Sequence, residues 1–98
     1  MKILAIEKEL PGLTSADFAP HLEAEAARAW ELHKAGVVRE LYFRADVHCA
    51  VLVLECRDVE EARRILATLP LVKQGLIEFE TIPLVPYAGF ERLFRKEA

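Results

Sequence analysis

The 98-residue sequence predicts an α+β domain in which the order strand, helix, strand occurs twice. Three observations carry that prediction. Apolar residues alternate with period two near the start and again across residues 37–55. They recur at helical spacing after Thr14 and after Asp58. Glycine or proline punctuates the ends of these segments.

Taken in order, residues 2–8 form the first strand, with Leu4 and Ile6 on one face and Ile3, Ala5 and Glu7 on the other. Pro11-Gly12 ends it. Thr14 followed by Asp17 is a capping-box start to one long helix, in which Pro20 falls where its missing N–H costs little. Phe18, Leu22, Ala26, Ala29 and His33 share a face of that helix, and Gly36 stops it in the position of a left-handed cap. Asp58 with Glu61 opens a second helix, whose stripe is Val59, Ala62, Ile65, Leu66 and Leu69, and Pro70 terminates it. A loop holds Lys73, Gln74 and Gly75. Residues 77–85 form the last strand, an edge strand because Pro83 cannot donate to a ladder on both sides. Residues 86–98 are a tail whose Tyr87, Phe90, Leu93 and Phe94 suit a short packing helix.

Between the helices, residues 37–55 read as a hairpin with a turn of two or four residues centred on Ala45-Asp46. That register pairs Arg44 with Val47, Tyr42 with Cys49, Glu40 with Val51 and Val38 with Val53. One face then carries Val38, Glu40, Tyr42, Arg44, Cys49, Val51 and Val53; the other carries Arg39, Leu41, Phe43, His48, Leu52 and Leu54. The βαββαβ order is the ferredoxin-like arrangement, with both helices on one face of a four-stranded antiparallel sheet. Residues 1–98 make one such domain. The other sheet face is left bare, and its mixture of apolar wall and convergent polar groups fits a small-molecule pocket closed by sheet-to-sheet homodimerisation.

Bulk composition narrows the partners. Hydrophobic residues are 53% of the chain and charged residues 30%, a globular balance generous in apolar surface for its length. Thirteen Lys and Arg against sixteen Asp and Glu give a net charge of −3, which argues against a nucleic-acid module and against attraction to anionic membranes. No apolar run approaches a membrane span. The first residues are charged too early for a signal peptide, and Cys49 and Cys56 are poorly spaced for a disulfide. A reduced, cytoplasmic protein is expected.

"AGVVREL" (35–41), "HCA" (48–50), "DVEEA" (58–62) and "LPL" (69–71) resemble the muconolactone isomerase family of the dimeric α+β barrel superfamily. The resemblance implies protomers whose sheets face each other, and a proton shift along an unsaturated, carboxylated lactone with no metal or organic cofactor. Arg39 and His48 are the polar positions that match that pattern best. The shift needs a base, a group that polarises the carbonyl and an anchor for the carboxylate. Glu7 or Glu40 can serve as base, Tyr42 as donor to the enolate, and Arg44 as a bidentate anchor. Alternatively, Glu40 and Arg44 form an interface ion pair with Tyr42 packed between. His48 is an acid/base candidate or a structural residue. Cys49 faces the expected pocket without a histidine beside it, and Trp30 is a core, rim or lid residue. His33 suits the dipole of a helix C-terminus. His21 and Glu25, one turn apart, are two ligands without a third, so no metal site is expected. Beside the isomerase reading stand a non-catalytic dimeric binding or assembly domain and a cofactor-free monooxygenase-like enzyme.

Overall fold

The computed structural model describes residues 1–8 and 10–95 of the chain. Four strands, β1 (Lys2–Lys8), β2 (Val38–Phe43), β3 (Ala50–Glu55) and β4 (Glu78–Leu84), form one antiparallel sheet in the order β2-β3-β1-β4. Pro83 lies on the edge strand β4, as its missing donor requires. The connection between β1 and β2 holds α1 (Ser15–Phe18) and α2 (Leu22–Lys34); that between β3 and β4 holds α3 (Val59–Leu66) and α4 (Pro70–Lys73). The expected ferredoxin-like α+β architecture is therefore present.

Local chemistry sets the element ends. The backbone N–H of Thr14 donates to the Asp17 carboxylate at 2.7 Å, fixing the start of α1. The long first helix is interrupted: Ala19–His21 tighten into a 3-10 turn around Pro20, and α2 follows. Gly36 takes φ 78° at the end of α2, a conformation that would strain any residue bearing a Cβ. The Asp58 carboxylate accepts from Glu61 N at 2.8 Å, capping α3. Pro70 does not terminate that helix. It stands at the first position of α4, where a proline is preorganised and its absent donor is not missed.

The hairpin differs from its expected register. β3 begins at Ala50, so residues 44–49 form the connection, closed by the Arg44 N to Cys49 O bond at 2.9 Å. Tyr42 pairs with Val51 and Glu40 with Val53, a slip of two residues that preserves which face each side chain takes. A bulge at Arg39 then shifts the ladder, so Val38 pairs with Leu54 and turns to the helix side, where it is fully buried. The expected grouping of Val38 with Glu40 and Tyr42 is thereby corrected.

The core lies under α3 and the end of α2, at the Ile3 end of the sheet. Ile3, Ala5, Val38, Leu52 and Leu54 meet Leu32, Ala62, Leu66 and Leu69 there. Nδ1–H of His33 donates to Val38 O at 2.9 Å and ties α2 to β2, the structural role open to that residue. On the bare face Leu4, Ile6, Val51, Val53 and Ile82 remain partly exposed. The tail contains a 3-10 turn over Gly89–Leu93; the Tyr87 and Phe90 rings meet edge-to-face with centroids 5.0 Å apart, but Tyr87, Phe90 and Phe94 remain 66–79% exposed. A radius of gyration of 16.8 Å, above the ~13 Å of a compact domain this size, fits a tail that projects past the sheet.

Candidate functional site

The sheet is packed at one end and hollow at the other. Along β1 the helix-facing residues run Ile3, Ala5, Glu7; along β3 they run Leu54, Leu52, Ala50. The first of each series lies in the core and the last lines a cavity of about 700 Å³ between the sheet and the helices. The hollow follows from side-chain size. Ala26 and Ala29 face it from α2 and Ala50 faces it from β3, where longer side chains would fill the space. Phe18, Leu22, Leu41, Phe43, Leu71, Ile77 and Phe79 supply most of the wall, and the hydroxyl residues Thr14 and Ser15 stand along it.

Glu7 and Glu25 are the carboxylates of the lining. Each uses an oxygen to hold a distant backbone amide: Ala50 N donates to Glu7 at 3.1 Å, and Leu71 N donates to Glu25 at 2.9 Å. Burial pushes the Glu25 carboxyl above the ordinary carboxylate range. The Leu71 amide opposes that rise, and the negative charge of Glu7 adds to it. Two acids in an apolar hollow, one with raised basicity, form an arrangement suited to moving a proton. His48 completes the polar wall, its ring stacked on Phe43 with centroids 4.3 Å apart.

The structure brings only part of the expected constellation together. Glu7 and His48 contribute to the lining, and Tyr42, although its strand position belongs to the opposite face, borders it from β2; the cavity lies on the helix side, not on the bare face where a pocket was expected. The Tyr42 hydroxyl donates to Glu40 at 2.7 Å, and this bond keeps its proton on by raising the phenol above its ordinary value. Glu40 and Tyr42 do share the bare face, as their parity requires. Arg44 does not reach Glu40; its guanidinium grips both oxygens of Asp46, at 2.9 and 2.6 Å. That contact holds the Asp46 carboxyl below its usual range. Arg39, on the bulge, turns its guanidinium back onto the Gly36 carbonyl. Cys49 is buried outside the cavity lining, and neither it nor Cys56 forms a disulfide. Trp30 is 58% exposed, with its ring tilted against His33 and the Lys34 ammonium 5.7 Å away, so it is neither core nor lid.

Glu25 is the residue that sequence reasoning undervalued. It lies among Leu22, Ala26 and Ala29, an acid on an apolar stripe, and that was the available signal. Its carboxylate is directed to Leu71, not paired with His21 as a metal ligand. Among the described residues no group of three or more His, Cys, Asp or Glu is placed to hold a metal ion. No helix of the described residues is long and apolar enough to cross a membrane.

A ferredoxin-like α+β protomer with an acid-bearing cleft between its two layers is thus defined. The family model for muconolactone delta-isomerase matches residues 5–89, and the chain belongs to that family. The crystal structure of muconolactone isomerase superposes with a TM-score of 0.74 at 22% identity, covering 90% of this chain and 92% of the other. At that identity the likeness shows the fold alone, a four-stranded antiparallel sheet with helices in an α+β arrangement. The search of curated protein sequences gave no match.

Proposed function

We propose that this protein is a cofactor-independent isomerase that shifts a proton along an unsaturated lactone in the cleft between helices and sheet. The observation that carries this reading is the raised basicity of Glu25 inside an apolar cavity. A carboxylate there is a stronger base than one in water, and its conjugate acid remains a competent donor. Glu25 removes the proton from the carbon between the lactone carbonyl and the double bond. The C–H electron pair moves into the ring, giving a dienolate with charge on the carbonyl oxygen. The carboxylic acid then returns the proton at the far end of that conjugated system, the carbonyl re-forms, and Glu25 is ready again. No oxidation or reduction occurs.

His48 is the candidate donor to the developing enolate oxygen, because it is the nitrogen-bearing side chain of the lining. Glu7 holds the start of β3 and contributes the charge that raises Glu25. Glu40, Tyr42 and Arg44 are assigned outside the chemistry. The partly exposed apolar row on the bare face supports association with a second copy, with the Glu40–Tyr42 pair at that interface. Whether turnover occurs is tested with a γ-phenyl butenolide carrying its double bond out of conjugation. Conversion to the conjugated isomer with solvent deuterium at the γ carbon, followed by NMR, is expected. Binding without conversion or exchange would instead support a non-catalytic binding domain.

A further inference from the structure

We infer that the cavity takes an uncharged, ring-bearing lactone in preference to a carboxylated one. This inference rests on reading the cavity as the reacting site. It deepens that reading by naming the charge and bulk of the substrate.

Three observations point the same way. First, the charged side chains of the described lining are Glu7 and Glu25, both acidic, so a bound carboxylate meets like charge in a cleft walled mostly by apolar side chains. Second, the arginines nearest in sequence to the lining elements are engaged outside it. Arg44 is held bidentately by Asp46, Arg39 lies against Gly36 O, and Arg28 bonds Thr68 and Glu31. Third, Phe18, Phe43 and Phe79 wall a cavity of about 700 Å³, larger than a bare five-membered lactone needs and suited to a second ring. An acid-lined, aromatic-walled hollow therefore selects for neutral, extended π-bearing ligands. Glu25, which transfers the proton, and Glu7 beside it act together as an electrostatic filter against anions.

The test compares γ-phenyl butenolide with its para-carboxylate analogue by titration calorimetry on the full chain at neutral pH. The neutral compound is expected to bind at least about tenfold more tightly, a gap of about 1.4 kcal/mol. Glu7→Gln, whose amide oxygen can still accept from Ala50, is expected to narrow the gap by improving binding of the carboxylate. Leu41→Lys, which adds a cation at the partly exposed rim, provides a second variant for the same readout. Equal or tighter binding of the carboxylate by the unmodified protein would overturn the inference, as would failure of both compounds to bind at millimolar concentration. Deuterium exchange separates this inference from the isomerase reading. Selective binding of the neutral compound without exchange sinks the isomerase reading and leaves the filter standing. Faster exchange on the carboxylate sinks the filter and leaves the isomerase.

Discussion

Replacing Glu25 by Gln and by Ala separates its chemistry from its structural role. Gln keeps an oxygen that can accept from Leu71 N but cannot take a proton; Ala removes both functions. If Glu25 is the shuttle, both variants lose activity, by about 10²- to 10⁴-fold for a general acid–base group. Their stabilities should differ. An amide hydrogen bond to a partly buried carboxylate contributes about 1–2 kcal/mol, toward the lower part of the range for charged acceptors. For a domain of this size that is about 4–16 °C in the unfolding midpoint, with Ala below Gln. The pH dependence has a definite sign. Because burial raises the folded-state pKa, the folded protein holds this proton more tightly than the unfolded chain. Charging Glu25 therefore costs the wild type stability as pH rises from the ordinary carboxylate value through the raised one, and the cost is constant above that. Glu25→Gln lacks this loss, so its stability relative to wild type should increase across the same window. Exchange kinetics by NMR and thermal unfolding between mildly acidic and neutral pH measure all three effects. Wild-type exchange in Glu25→Gln, or an advantage of Gln that grows on acidification, would refute the reasoning.

Three further outcomes are expected. Asp58→Ala removes the cap on Glu61 N and should cost about 0.5–2 kcal/mol, read as a lower denaturant midpoint with an unchanged slope. Gly36→Ala, at φ 78°, and Gly12→Ala, at φ 81°, should each destabilise by about 1 kcal/mol, read as a lower unfolding midpoint. Val53→Lys, on the bare sheet face, should shift sedimentation toward monomer without lowering the helical circular dichroism; an unchanged sedimentation coefficient would remove this face from the interface.

Much of the fold was legible because period and punctuation agree in this chain. The Leu4/Ile6 against Ile3/Ala5 parity, the Asp58 cap and the Gly36 stop each have a local cause that leaves a mark in sequence. The hairpin was less legible. Ala45-Asp46 resembles the centre of a tight turn, yet the Asp46 carboxylate accepts from both Arg44 and Val47 N, and these bonds stabilise a longer connection. Parity survived because the slip was even. It failed at Val38, where a single bulged residue reverses the face and no residue type announces it. The cavity was missed for a different reason. A hollow arises from what small residues such as Ala26, Ala29 and Ala50 leave unfilled, and alternation patterns record polarity without recording volume. The polar residues of the bare face carry the visible alternation pattern, and Glu25 stands out in sequence as one half of a two-ligand pair with His21.

The links from Glu7 to Ala50 and from Glu25 to Leu71 join residues 43 and 46 positions apart in the chain. Neither can form from a local segment. Glu7 finds its amide only when β1 and β3 are already paired, and Glu25 only when the second half of the chain has come back to the first helix layer. The site therefore depends on long-range contacts, and an isolated segment of the chain cannot build it. Loss of ligand binding and loss of structure should then coincide on heating.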